Sequence, residues 1–127
     1  MNVEKRRLDA AALEILLGYS AGWTVLLDEQ SRIVYEHGSR DAIFGGPGTT
    51  SSIGRRIAAF VHPDDLLLAV DRMEESLSKP GSEVRFEIRA GLAETGYGTV
   101  DVQAVNRFDH PRLNGVIVSV TARTKSR

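Results

Sequence analysis

The chain contains no cysteine, an absence that removes disulfides, thiolate metal sites, cysteine nucleophiles and photochemical cysteine adducts together. It has no excess of either charge: 16 Lys and Arg stand against 17 Asp and Glu, for a net charge of -1 and a pI near 6.3. Without a strong positive field, neither nucleic acid nor anionic lipid is an expected partner. Long apolar runs are missing as well. Ala10 to Leu17 is among the longest, carries Glu14, and falls far short of a bilayer span. The basic start, Met1 to Arg7, leads into an acid-bearing segment and not into a signal peptide's apolar run. These absences lead to an expectation of a mature chain, cytoplasmic, with no membrane contact.

What is present has the balance of a globular domain. Hydrophobic residues make up 42% and charged residues 26%, which excludes a disordered tail. A length of 127 residues suits one core. Leu8, Ala12, Ile15, Leu16 and Tyr19 recur at helical spacing and predict an amphipathic helix over residues 4–19, stopped at Gly18 or Gly22. Gly22 to Asp28 and Arg32 to Glu36 predict a hairpin about the polar Glu29-Gln30-Ser31. From His37 to Ser52, glycine, proline and hydroxyl residues predict short helical turns and a loop.

A helix is expected from Pro63, with Leu66, Val70, Met73 and Leu77 as its apolar stripe and Lys79-Pro80-Gly81 as its stop. Val84, Phe86, Ile88 and Ala90 then alternate with Arg85, Glu87 and Arg89, the period of a strand with one wet face. Val100, Val102 and Ala104 predict a fourth strand, and Val116, Val118 and Val120 a fifth. The order describes an α+β domain with a five-stranded antiparallel sheet. His62 with Asp64 and Asp65 has the composition of a metal or acid/base cluster, but no second cluster completes such a site. A helix cap accounts for the same residues, with His62 at the cap, Pro63 first, and acids on the free amides.

Ile53-Gly54-Arg55 followed by Phe60-Val61-His62-Pro63-Asp64-Asp65 resembles the segment leading into the long helix of PAS domains. Arg32-Ile33-Val34-Tyr35, Gly96-Tyr97 and Asn114-Gly115-Val116-Ile117-Val118 are similar in the same order, so the resemblance spans about residues 21–124. It implies a PAS fold, with strand order 2-1-5-4-3, the helices cupped on one face and the N-terminal helix on the other. The chain then divides into a helix at 1–20, a sensor domain at 21–124, and a basic tail or linker start at 125–127. Three departures stand out. His37 replaces an asparagine after strand two, Ala122 replaces the acid of the usual Asp-Ile-Thr, and the glycine-rich stretch from Gly45 to Ser52, expected as a lid, replaces a short helix.

The resemblance implies a non-enzymatic module that senses a small apolar ligand or a partner protein and signals to an attached or separate kinase, cyclase or regulator, in a bacterial two-component or cyclic-nucleotide setting. Strand phase and helix stripe together predict a pocket walled by Val25, Tyr35, Phe44, Phe60, Val70, Met73, Phe86, Ile88 and Val102. Trp23, with its indole donor, is expected buried. Leu8, Ala12, Ile15 and Tyr19 are expected as a homodimer contact. The cofactor is left open. Haem is disfavoured because the helix body from Asp64 to Ser78 holds no histidine, and cysteine-linked flavin because there is no thiol. The alternative is a small cone-shaped α+β isomerase or dehydratase, which needs an inward acid/base pair that Asp101, on the polar phase of its strand, does not supply.

Overall fold

A computed structural model describes residues 5–19, 22–38, 40–44, 51–92 and 96–123. Helix α1 (Ala10–Leu17) leads into strands β1 (Trp23–Leu27) and β2 (Ile33–His37), helix α2 (Arg40–Phe44), a 3-10 turn (Ile57–Phe60) and a second one (Pro63–Asp65) that runs into helix α3 (Leu66–Ser76). Strands β3 (Glu83–Leu92), β4 (Gly96–Arg107) and β5 (Gly115–Ala122) follow, and one antiparallel sheet forms in the order β2-β1-β5-β4-β3. The proposed tail at 125–127 and residues 45–50 of the expected lid lie outside the described residues.

Two apolar layers sandwich this sheet. On its inner face Trp23, Val25, Leu27, Ile33, Ile88, Val100, Val102 and Val118 form one buried cluster with Phe60 and Ala69. On the outer face Leu26, Val34, Leu113 and Ile117 are covered by Ala12 and Leu16 of α1. The helix is shorter than the pattern of residues 4–19 predicts, because the Asp9 side chain caps it by accepting the Ala12 N–H at 2.9 Å. Ahead of the cap the chain runs alongside β2, where the Arg6 N–H reaches the Val34 carbonyl at 2.6 Å.

The pairing of β1 with β2 is irregular in a way that decides which side chains face inward. Leu26 pairs with Tyr35 while Leu27 pairs with Ile33, so Val34 is the extra residue of a bulge. Beyond it the side-chain phase is shifted by one. Tyr35 therefore joins the α1 layer, and Glu36, opposite Val25, takes the inward position.

A strap then crosses from one sheet edge to the other. At its start the Ile33 N–H donates to the Arg55 carbonyl at 2.9 Å and the Ile57 N–H to the Ser31 carbonyl at 3.1 Å, beside the β2 edge. At its end Val61 bridges Ala90, and the His62 N–H donates to the Arg89 carbonyl at 2.9 Å, on the β3 edge. The strongly coiled sheet brings its two edges within reach of a single short segment.

The cover that α1 gives the outer face has a direct test. Leu16 is fully buried and its neighbour Leu17 is 41% exposed, so Leu16→Ala should cost about 2–4 kcal/mol in urea unfolding and Leu17→Ala about 0.5 kcal/mol or less.

Candidate functional site

Between α3, the strap and the inner face of the sheet lies an apolar cavity of about 310 Å³. It exists because α3 does not settle fully on the strands. Ala69 and Ser76 are its buried residues, whereas Leu66 and Leu77 stay more than a third exposed and Val70 is 45% exposed. The strap contributes Ile57, Ala58, Phe60 and Val61, and β4 and β5 contribute Val100, Val102, Val118 and Val120. Ser31 and Glu74 are the polar residues on the wall.

One end of the cavity is an aromatic corner. Trp23 meets Phe60 edge-on at 5.4 Å and Phe44 at 5.9 Å. The corner is fixed by the Glu36 carboxylate, which accepts the Trp23 indole N–H at 2.9 Å on one oxygen and the Ser52 backbone N–H at 2.8 Å on the other. Both Arg40 and Arg55 set a guanidinium 4.9 Å from the Phe60 ring centre. Arg40 is only 5% exposed, and its Nε and Nη1 have no hydrogen-bond partner among the described residues.

Next to Val61 in the chain, but outside the cavity wall, stands the cluster of His62, Asp64 and Asp65. The His62 Nδ1 accepts the Asp64 N–H at 3.0 Å, the geometry of a helix cap. His62 also meets Tyr97 edge-on at 4.6 Å. Asp65 is occupied by Arg89: it accepts the backbone N–H at 2.7 Å and the guanidinium at 3.0 and 2.8 Å. The hydrogen bonds from Arg89 hold the Asp65 carboxyl at about 2, below its ordinary 3.8. Among the described residues no group of three His, Asp or Glu side chains is arranged to hold a metal.

Of the residues expected on the pocket wall, Phe44, Phe60, Val70, Met73, Phe86, Ile88 and Val102 line the cavity. Val25 and Tyr35 do not. Val25 is packed solid within the inner cluster, and the bulge at Val34 has turned Tyr35 to the α1 layer, where Lys5 lies over its ring at 4.9 Å. Ala69 and the strap residues Ile57, Ala58 and Val61 are additions that strand phase alone does not supply, and Trp23, which shares the phase of Val25, lines the cavity as well. Ala12 of the expected dimer stripe is fully buried, and Leu8, Ile15 and Tyr19 pack beside it on the chain's own sheet. That stripe finds its cover in the same chain. Asp101 lies on the outer face, paired with Arg123 at 2.8 Å, and His37 ends β2 exposed.

No family model and no curated protein matches the chain. Solved structures do. The PAS domain of a protein from Colwellia psychrerythraea superposes with a TM-score of 0.67 at 17% identity, covering 82% of this chain and 87% of that one. The PAS-B domain of Drosophila melanogaster Cycle, with bound ethylene glycol, gives 0.63 at 10% identity, covering 80% of this chain and 99% of that one. A tryptophan-to-alanine variant of that domain, with bound glycerol, aligns equally well, at 0.63. At these identities the similarity is one of fold.

The polar cluster generates two tests. Replacing His62 by Asn should keep the cap, whereas His62→Leu should lose about 1 kcal/mol in chemical denaturation. The Asp65 carboxyl is more acidic in the folded chain than in the unfolded one, so its contribution is complete above its ordinary 3.8 and disappears as pH falls through about 2. Asp65→Asn should therefore be less stable than the parent above about pH 4, with the gap closing toward pH 2 in urea titrations.

Proposed function

Starting from the PAS fold, we propose that this chain is a non-enzymatic sensor module that takes a small, mostly apolar ligand into the cavity beneath α3. Its output is a change in how it engages an attached or separate signalling protein. The observation that carries the reading is the cavity itself. A core of this size normally packs to crystal-like density, yet here about 310 Å³ is left between α3 and the sheet, within the range of small-molecule sites. Its wall favours a flat or greasy molecule. Trp23, Phe44 and Phe60 offer ring faces and edges, while Ser31 and Glu74 supply the polar contacts.

An acid/base enzyme draws no support from this wall. Glu74 is its one ionisable residue among the described residues, and Asp101 and His62 are committed elsewhere. The helix that closes the cavity is also the element best suited to report occupancy. Leu66, Val70 and Leu77 line the cavity and are exposed at the same time, so a ligand that buried them would draw α3 toward the sheet.

Ala69 is buried on α3 and faces the cavity, so a larger side chain there should fill the space. Naphthalene or indole at a hundredfold excess over Kd should stabilise the parent by about 2.7 kcal/mol. Ala69→Phe should remain folded and lose that response in the same thermal titration. A parent that responds to neither probe would contradict the proposal, as would an Ala69→Phe variant that responds as strongly as the parent.

A further inference from the structure

Along the outer edge of β3, part of the backbone has no strand partner among the described residues. Strand β3 ends the sheet, and Arg89 reveals its phase: the Arg89 N–H donates to Asp65 at 2.7 Å and its carbonyl accepts from His62 at 2.9 Å, both on the side away from β4. Residues of the same parity, Glu83, Arg85 and Glu87, turn their N–H and C=O groups the same way. Among the described residues, no strand or turn pairs with that stretch. An open edge of this kind is a template for another strand.

The side chains of the stretch indicate which strand fits. Glu83, Arg85 and Glu87 are exposed on the outer face, and Val84 and Phe86 are half-buried on the inner face. An antiparallel two-fold centred on Phe86 sets Arg85 opposite Glu87 of a second copy, twice over, and stops short of Arg89, whose outward side is taken by His62 and Asp65. Centring the axis on Arg85 instead would put Arg85 against Arg85 and Glu83 against Glu87, which is repulsive. Within the chain Arg85 touches Glu83 and Glu87 touches Arg123, each at 3.0 Å and on open surface. Exposed pairs of that kind are weak and exchange partners readily.

We propose that the chain forms a homodimer through this stretch of β3, with the two-fold axis at Phe86. Arg85 and Glu87 exchange both backbone hydrogen bonds with Glu87 and Arg85 of the second copy, and the two Phe86 rings meet as a close non-hydrogen-bonded pair. The ladder ends at Arg89, because Asp65 and His62 already hold its outward groups. That stop makes the contact self-limiting, a closed dimer and not a growing fibre. It also differs from a dimer through α1, whose apolar stripe is packed against its own sheet.

Sedimentation velocity on the full chain tests this with exposed substitutions that leave the core untouched. The parent should be a dimer. Arg85→Glu and Glu87→Arg should each weaken dimerisation by about tenfold or more, since each creates two facing like-charge pairs. The double variant should recover it, and the two single variants mixed together should form a heterodimer. Arg85→Pro, which removes an outward N–H while sparing the ladder to β4, should give a folded monomer by circular dichroism. A parent that stays monomeric at millimolar concentration would overturn the proposal. So would a dimer indifferent to both charge reversals but broken by Ile15→Glu on α1. None of these outcomes depends on whether the cavity takes a ligand.

Discussion

The strap from Gly54 to Asp65 is the constraint on which the rest of this structure depends. It is bonded to Ser31 and Ile33 at one edge of the sheet and to Arg89 and Ala90 at the other. Its last residue, Asp65, adds a two-pronged ion pair to Arg89 and hands the chain to α3. A charge-assisted fork of this kind fixes direction as well as distance. With the start of α3 pinned above the edge strand, the helix can bury Ala69 but not its whole apolar stripe. Cavity and free strand edge thus share one origin, because the clamp that sets the helix height also marks where the open part of β3 ends.

The walls of the cavity differ in how firmly they are held. The aromatic corner is tied down by the Glu36 carboxylate, which binds the indole of Trp23 and the backbone of Ser52 at once. The inner face of β4 and β5 is a block of close-packed valines. Helix α3 is the loose wall: its first half carries exposed Leu67, Leu68 and Val70, and Phe86 of the edge strand shares the cavity wall with it. Changes inside the cavity are most easily expressed in α3 and β3, the elements nearest the surface that the second copy is proposed to use.

Much of this architecture was legible in the sequence, for identifiable reasons. Period-two alternation in Val84 to Ala90 and Val100 to Ala104 located β3 and β4 and their inner faces, and with them Phe86, Ile88 and Val102 on the cavity wall. His62-Pro63-Asp64-Asp65 marked the helix start through cap chemistry alone. Tyr35 was misplaced because a single extra residue at Val34 inverts the phase, and a bulge leaves no mark in the hydrophobic pattern. The apolar stripe of α1 marks a face that needs cover, but a sequence does not show that the chain's own sheet packs against it. The role of the strap was invisible for a different reason. Its bonds join residues that lie far apart in the chain, and neither Arg89 nor Asp65 has a local pattern that names the other.

Residue-resolved amide hydrogen exchange along β3, followed by NMR at low and high protein concentration, tests the account most directly, because Arg85, Glu87 and Arg89 share one edge and differ only in what caps them. The account predicts a slow Arg89 amide at every concentration, and Arg85 and Glu87 amides that exchange fast when dilute and slowly when concentrated. An Arg89 amide as fast as its neighbours would contradict the clamp, and Arg85 and Glu87 amides with no concentration dependence would contradict the open, self-pairing edge.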